Sequence, residues 1–288
     1  MVKKVVRVLV RTARTWLHEN EAQTETMPQV EQYAPPIRWC AEILRQKPER
    51  PNYAWGVTHA AALAQALKIG HISVIELGVA GGNGLIALEE IAQRASELSG
   101  VNISIYGFDS GIGLPKPTDY RDLPNHFCEG WFPMDTEKLR RRLAKAKLIL
   151  GPVEDTIPKF IDSNPPSIGF IAFDLDLYSS TKHALRLLEG DERLLLPRLY
   201  CYFDDILGFT YSKFTGELLA ISEFNNSHAM RKISKIKGMR YLVPRFCQPH
   251  CWVEQFYMAH IFDHKLYGEY DGSNPQTTLD LASDAATA

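Results

Sequence analysis

Short apolar runs rich in β-branched residues alternate along this chain with longer helical patterns, and this alternation restricts the fold more than any other feature. Such runs occupy His71–Leu77, Val101–Phe108, Ile168–Phe173 and Arg198–Phe203, with helical segments between them. Strands that alternate with helices form a parallel sheet covered on both faces, and strands buried on both faces lack polar alternation. We therefore predict an α/β fold with a doubly wound, mostly parallel sheet of the Rossmann-like type.

The two ends of the chain are expected to differ from this central pattern. Helices are predicted at Ile37–Gln46 and at Thr58–Lys68, with Thr58 as a candidate N-cap. Near the other end, Arg240–Val243 and Trp252–His264 are predicted to form an antiparallel hairpin that closes the sheet. We divide the chain into an N-terminal helical region and linker (1–57), a main domain (58–270) and a disordered tail (271–288).

Composition excludes several classes of protein. Of the 288 residues, 45% are apolar and 23% are charged, and the formal net charge of −2 provides no basic field for nucleic acid. The five cysteines are an odd number without the spacing of a secreted disulfide framework, so a cytoplasmic location is predicted. The basic segment Met1–Leu17 is too short and too charged to span a bilayer, and no transmembrane segment is predicted. It could lie on an anionic membrane surface, but packing on the domain or on a second subunit is preferred, and a homo-oligomer is expected.

A glycine-rich turn, Glu76–Gly84, follows the first apolar run and precedes a helix. Glycines allow a tight turn and a close approach to a ligand, while the helix directs its N-terminus toward it. The stretch from Gly82 to Ala87 also fits the dinucleotide fingerprint, so NAD is an alternative ligand, and a plain structural turn is another. Glu76, Gly78 and Gly82 resemble the usual methyltransferase signature, Glu/Asp-x-Gly-x-x-x-Gly after a first strand, and this resemblance favours S-adenosylmethionine over NAD. Glu76, Gly78 and Gly82 are therefore candidate cofactor-binding residues.

The second strand ends at Asp109, which Ser110 follows. An acid at this position can accept hydrogen bonds from both hydroxyls of a ribose, a property that NAD and S-adenosylmethionine sites share. A surface Asp that caps a turn is the alternative interpretation. We take Asp109 and Ser110 as further candidate contacts of a nucleoside cofactor.

Two pairs of carboxylates follow the next two strands. Asp174 and Asp176 come after one strand, and Asp204 and Asp205 come after the other. On an extended backbone, residues two apart point the same way, so all four carboxylates are expected to converge on one crevice. Such a group repels itself unless a cation or shared protons compensate, and hard oxygen ligands suit Mg²⁺ or another hard divalent cation. Solvated surface charges are the alternative.

These motifs together resemble the macrocin O-methyltransferase family of class I S-adenosylmethionine-dependent methyltransferases, whose members methylate sugar hydroxyls in antibiotic assembly. The resemblance covers roughly residues 72–224 and rests on motifs in the family's order, namely Glu76–Gly84, Gly107–Asp109 with Gly113–Pro115, Gly151–Pro158, Asp174–Thr181, Asp204–Asp205 and Gly216–Phe224.

The resemblance implies a Mg²⁺-dependent O-methyltransferase that acts on a sugar or other small molecule in natural-product or glycan biosynthesis. On the matching positions, Asp174, Asp204 and Asp205 would hold the metal, and Asp176 would be the general base. Asp174 would also lie at the cofactor, and the segment after Gly151 would lie near the adenine.

Other interpretations remain open at this point. A relative of the cephalosporin-hydroxylase-like proteins would share the fold but perform another chemistry, and a non-catalytic scaffold would bind a ligand or partner without turnover. The pairs Cys247/Cys251 and His260/His264 also suggest zinc. However, residues four apart on a strand lie about 13 Å from each other, too far to share one ion.

Overall fold

The computed structural model describes residues 35–208 and 210–269. Its centre is a seven-stranded sheet in the order β3-β2-β1-β4-β5-β7-β6. The strands are β1 (His71–Leu77), β2 (Asn102–Asp109), β3 (Lys147–Leu150), β4 (Ser167–Phe173), β5 (Leu195–Phe203), β6 (Arg231–Lys235) and β7 (Phe256–Ile261). The first five strands pair in parallel, whereas β7 pairs antiparallel with both β5 and β6. The predicted doubly wound, mostly parallel sheet with an antiparallel C-terminal pair is confirmed.

Eight α-helices of the described residues accompany this sheet: α1 (Pro35–Leu44), α2 (Pro51–Ala66), α3 (Asn83–Ser99), α4 (Thr136–Arg142), α5 (Val153–Asp162), α6 (Tyr178–Ala184), α7 (Gly216–Ser227) and α8 (Met239–Leu242). Two hydrophobic clusters hold them, one on each face of the sheet. Along β1, Ile72 and Val74 belong to the cluster that contains α1, α2 and α3. Ile75 and Leu77 belong to the cluster that contains α5, α6 and α7. The uninterrupted apolar run of β1 is therefore explained by burial on both faces.

Three sequence-based assignments were wrong in detail. Helix α2 begins at Pro51, so Thr58 lies inside it, where the Thr58 hydroxyl donates to the Ala54 carbonyl oxygen at 2.7 Å. The boundary between residues 57 and 58 therefore falls within a helix. The residues Arg240–Val243 lie in and beside α8, and the strand that pairs with β7 is β6, whose residues are mostly polar.

The basic segment Met1–Leu17, the linker up to residue 34 and the tail after residue 269 lie outside the described residues, so their predicted roles stay predictions. Within the part of the chain that is described, every helix is too short or too polar to cross a membrane. His264 lies beyond β7 rather than in it, and the ring of His260 contacts the Tyr267 hydroxyl at 2.9 Å.

Candidate active site

The parallel pairing brings four strand ends to one edge of the sheet. Leu77 of β1 is in register with Phe108 of β2 and with Phe173 of β4, and Phe173 is in register with Phe203 of β5. The residues that directly follow these strands are therefore neighbours in space. In open α/β sheets this edge is where ligands bind.

The glycine turn after β1 is built on close backbone contacts. Gly78 has a φ of +87°, and its amide donates to the Phe108 carbonyl oxygen at 2.9 Å. A Cβ atom at Gly78 would lie 1.8 Å from the carbonyl oxygen of Asp174, so only glycine fits between β1 and β4. Gly82, with a φ of +83°, is the N-cap of α3. The turn therefore places the N-terminus of α3 at the edge where the strands end.

Glu76 lies behind this turn rather than on the surface of the cavity. Its side chain is 1% exposed, and the Tyr53 hydroxyl of α2 donates to Glu76 Oε1 at 2.7 Å. Glu76 Oε2 has no hydrogen-bond partner among the described residues. A Cβ atom at Gly84 would meet Glu76 Oε1 at 1.8 Å, so the carboxylate packs directly against the first turn of α3. Burial raises the pKa of Glu76 to about 7, opposed by the Tyr53 hydrogen bond and by Arg50.

Asp109, at the end of β2, connects this strand to the glycine turn through hydrogen bonds. Asp109 Oδ2 accepts hydrogen bonds from the Val79 amide at 3.0 Å and from the Ala80 amide at 2.8 Å. Asp109 Oδ1 accepts one from the Gly111 amide at 2.6 Å. The adjoining Ser110 hydroxyl donates to the Gly113 carbonyl oxygen at 2.7 Å. Asp109 and Ser110 therefore shape the loop as well as line the cavity.

Three of the predicted carboxylates form a compact cluster. Asp174, Asp204 and Asp205 each offer an oxygen atom, and these atoms lie within 4.8 Å of one another. The backbone arranges them, because the Asp174 amide donates to the Leu77 carbonyl oxygen and the Asp204 amide donates to the Phe173 carbonyl oxygen, both at 2.9 Å. Among the described residues, no other group of acidic, His or Cys side chains has this geometry.

Asp176 reaches the cluster in a different way from the one expected. Its φ is +61°, so the chain from Asp174 to Asp176 is not extended. The prediction that the two side chains point the same way along a strand was therefore wrong. The Leu177 amide closes a tight turn onto the Leu175 carbonyl oxygen at 2.5 Å. The Asp176 amide donates to Asp205 Oδ2 at 3.0 Å, and this bond links the two strand ends. A left-handed conformation at a non-glycine residue is uncommon and often marks a functional site.

Crowding of these acids perturbs their protonation. Burial, followed by Asp204 and Asp205, holds the pKa of Asp174 well above its ordinary value. Burial and the neighbouring acids raise the pKa of Asp176 to about 8 and that of Asp205 to about 6. The cluster therefore favours either shared protons or a bound cation at neutral pH. The oxygen-only donor set suits a hard divalent cation.

Four polar partners of the cluster were not identified from the sequence, and only Glu217 and Gln255 lie more than ten residues from the aspartates that they contact. The Tyr202 hydroxyl donates to Asp204 Oδ1 at 2.6 Å, and Gln255 Nε2 donates to the Asp204 carbonyl oxygen at 2.6 Å. Glu217 of α7 is fully buried, accepts from the Asp205 amide at 3.1 Å, and leaves Oε1 without a partner among the described residues. The Tyr211 hydroxyl donates to Asp205 Oδ1 at 3.2 Å. These contacts fix the orientation of both aspartates.

Arg50 supplies positive charge next to the acids. Its guanidinium lies 5.9 Å from the centre of the Tyr53 ring. Burial lowers the pKa of Arg50, but the nearby Tyr53, Asp174 and Glu76 raise it and prevail. Arg50 is not one of the residues that line the cavity, so it acts on the acids through the protein rather than at the cavity surface.

A cavity of about 570 Å³ joins the glycine turn to the acidic cluster. Its walls include Gly78, Asp109, Ser110, Asp174, Asp176, Asp204 and Asp205, but neither Glu76 nor Gly82. Gly151, Pro152, Val153 and Glu154, which follow β3, also line it. Further lining residues come from the loop between Leu114 and Phe132, and Tyr211 also lines the cavity. The loop between β2 and α4 and the loop between β5 and α7 therefore both contribute residues to this cavity.

No protein-family model and no curated protein matches the chain. Among solved structures, the calicheamicin methyltransferase CalS11 is 20% identical, with 75% of this chain and 96% of that chain covered and a TM-score of 0.47. The apo structure of CalS11, a TDP-rhamnose 3'-O-methyltransferase in calicheamicin biosynthesis, is 20% identical over 73% and 86%, with a TM-score of 0.40.

The O-methyltransferase TomG from Streptomyces achromogenes, which is involved in tomaymycin synthesis, was solved in complex with SAM. It is 11% identical over 83% of this chain and 92% of that chain, with a TM-score of 0.39. Likeness at these identities and TM-scores assigns no activity to the chain. The fold rests on its own strand order and pairing.

Proposed function

We propose that this chain is an S-adenosylmethionine-dependent O-methyltransferase that uses a divalent cation and acts on a hydroxyl of a sugar or other small molecule. One observation carries the proposal: a glycine turn with a strand-end acid and a three-carboxylate cluster open into the same cavity. A cofactor loop alone would suit several nucleotides. Its combination with a hard-cation site favours activation of a hydroxyl for group transfer.

The residues of the cavity fit both a divalent cation and S-adenosylmethionine. The oxygen atoms of Asp174, Asp204 and Asp205 are close enough to share one cation. Burial and the neighbouring acids raise the pKa of Asp174 and of Asp205, and a bound cation would offset both effects. At the other end, Gly78, Asp109 and Ser110 line the cavity and would contact the cofactor, as would Asp174 between the two ends. Glu76 and Gly82 would act from behind by holding the turn and the N-terminus of α3.

S-Adenosylmethionine supplies an electrophilic methyl group on a sulfonium, and Mg²⁺ supplies positive charge that acidifies a hydroxyl. The chain's own residues supply position and a base. Asp174, Asp204 and Asp205 would hold the cation, and Asp176 would take the proton from the acceptor hydroxyl. The backbone bond from Asp176 to Asp205 fixes the distance between base and cation site. Most of the rate acceleration would come from holding the reactants in line inside the cavity.

Cation binding tests this proposal without knowledge of the acceptor. Mn²⁺, a spectroscopic substitute for Mg²⁺, is titrated into the protein with S-adenosylhomocysteine present and followed by electron paramagnetic resonance. Asp204→Asn should weaken Mn²⁺ binding roughly tenfold or more because it removes a ligand charge. Asp176→Asn should weaken Mn²⁺ binding clearly less than Asp204→Asn does, because Asp176 is not among the three ligands and its amide bond to Asp205 remains.

The control is Asp162→Asn, which changes an exposed aspartate at the end of α5. It should bind Mn²⁺ as the unchanged protein does. Absence of Mn²⁺ binding to the unchanged protein, or equal binding by the Asp204 variant, would contradict the proposed cation site.

A further inference from the structure

Acidic side chains dominate the charge on the cavity wall. The ionisable lining residues are Asp109, Glu154, Asp174, Asp176, Asp204, Asp205, His126 and Tyr211. No Lys or Arg of the described residues is among them. Arg121, on the loop that borders the cavity, is held by Asp119 at 2.8 Å and by the Tyr178 hydroxyl at 3.1 Å. One divalent cation and one sulfonium cofactor would leave this wall with net negative charge, and such a field disfavours an anionic ligand.

Large aromatic and aliphatic side chains also line the cavity. Leu114, Phe127, Trp131 and Phe132 all come from one loop. Trp131 is 46% exposed and Phe132 is 52% exposed, although both are large and apolar. Exposed apolar side chains that line a cavity are typical of a surface that a ligand covers.

The loop that carries these side chains is held firmly to the sheet domain. Asp122 is fully buried and accepts hydrogen bonds from the Thr118 amide and hydroxyl at 2.9 and 2.7 Å. It also accepts one from the Ser179 amide at 2.7 Å, in the first turn of α6. Leu123 and Phe127 pack against Leu177 in a small separate core. The aromatic wall is therefore preformed and does not wait for a ligand to order it.

A chain of ring contacts connects this wall to the acidic cluster. The His126 ring lies 4.7 Å from that of Phe127 and 5.8 Å from that of Tyr211, edge to face in both cases. The Tyr211 hydroxyl in turn donates to Asp205 at 3.2 Å. The Tyr211 side chain therefore connects the His126 ring to the proposed cation site at Asp205. A diol held by the cation would place its attached group against His126 and Tyr211.

We propose that the acceptor is a phosphate-free vicinal diol that carries a flat aromatic ring, and that His126 and Tyr211 form the subsite for that ring. The buried Phe127 ring supports His126 by direct contact. This inference rests on the proposed function, because the diol is assigned to the cation end of the same cavity. A nucleotide-diphosphate sugar is excluded on two grounds. The described wall has no Lys or Arg to receive its phosphates, and the wall's acids repel them.

Calorimetry with a matched set of probes tests the inference, with Mg²⁺ and S-adenosylhomocysteine saturating. The aromatic probes are catechol and phenyl β-D-glucoside, and their partners without an aromatic ring are cis-1,2-cyclohexanediol and glucose. The anionic probe is UDP-glucose. At least one aromatic probe should bind about threefold to tenfold more tightly than its partner, which is the factor expected from about 0.5–1.5 kcal/mol of aromatic stacking. UDP-glucose should show no measurable binding.

Two variants locate the subsite. His126→Ala should abolish most of the preference for the ring, whereas Asn125→Ala, a change at the exposed neighbouring residue, should leave that preference as it is. Binding of UDP-glucose, equal affinity for the aromatic probes and their non-aromatic partners, or no binding of either aromatic probe would overturn the inference. A separate titration with S-adenosylhomocysteine distinguishes the two failures. If it binds and the probes behave otherwise than expected, only the inference about the acceptor has failed; if it does not bind, the proposed function itself has failed.

Discussion

Glu76→Gln is expected to stabilise the ligand-free protein while it weakens cofactor binding. Glu76 is buried, its Oε2 atom has no partner among the described residues, and its pKa rises from 4.5 to about 7. The ionised side chain is therefore a cost to the folded state at neutral pH. Glutamine keeps an oxygen that can accept the Tyr53 hydrogen bond and removes the charge.

The magnitude follows from linkage between protonation and folding. Because the folded-state pKa lies above the unfolded value, the folded protein binds the proton more tightly, and stability is lost as pH rises between about 4.5 and 7. Above pH 7 the loss is constant, at about 3 kcal/mol for a shift of this size at about 1.36 kcal/mol per unit. The advantage of Glu76→Gln should accordingly grow by roughly 2.5 kcal/mol between pH 5 and pH 8.

Urea unfolding of both proteins at pH 5 and pH 8 measures this difference in the free energy of unfolding. Glu90→Gln, at an exposed position of α3, is the matched control and should show no pH-dependent difference. The affinity of the Glu76 variant for S-adenosylhomocysteine should fall roughly tenfold or more, since a charged acceptor is lost behind the turn. An advantage that stays constant or shrinks as pH rises would refute the assigned cause of the shift.

Three further predictions concern the turn, the loop and the charge balance. Gly78→Ala should destabilise the protein by about 2 kcal/mol or more in thermal unfolding and abolish S-adenosylhomocysteine binding, because the added Cβ collides with the Asp174 carbonyl oxygen at a positive φ. Asp122→Ala should cost about 2–4 kcal/mol in urea unfolding, because it leaves donors of Thr118 and Ser179 without an acceptor. Arg50→Met should strengthen Mn²⁺ binding by about 0.5–2 kcal/mol, since a nearby positive charge is removed. The electron paramagnetic resonance titration with Mn²⁺ described above measures this change.

Each of these has a contrary outcome. Cofactor affinity that survives Gly78→Ala would show that the turn does not bind the cofactor. Unchanged stability of the Asp122 variant would show that the loop is held by other contacts. Weaker Mn²⁺ binding after Arg50→Met would show that Arg50 stabilises the acids instead of competing with the cation.

Local patterns in the sequence were enough to predict the strands, the turn and the edge at which the acids meet. The reason is that β1, β2, β4 and β5 are buried on both faces, so their apolar runs are long and their ends sharp. The strand β6 was missed because its sequence, Arg231–Lys235, is mostly polar and sits at the sheet edge. Only its pairing with β7, which no local pattern encodes, makes it a strand.

The polar partners behind the site escaped prediction for a related reason. Tyr53 reaches Glu76 only because α2 packs over β1, and Gln255 reaches Asp204 only because β7 inserts beside β5. Asp176 was predicted to lie near the other acids on the assumption of an extended backbone. In the structure it lies there because its own backbone is left-handed, with a φ of +61°. Asp122 stands in a loop without any motif, and only its burial against α6 reveals its role.

The central claim is that the cavity at the strand ends binds S-adenosylmethionine. Isothermal titration calorimetry of the full chain with S-adenosylmethionine, S-adenosylhomocysteine and NAD in separate experiments, each with Mg²⁺, tests it most directly. We expect both sulfur-containing ligands to bind at one site per chain and NAD to give no heat. Binding of NAD alone, or of none of the three, would contradict the claim.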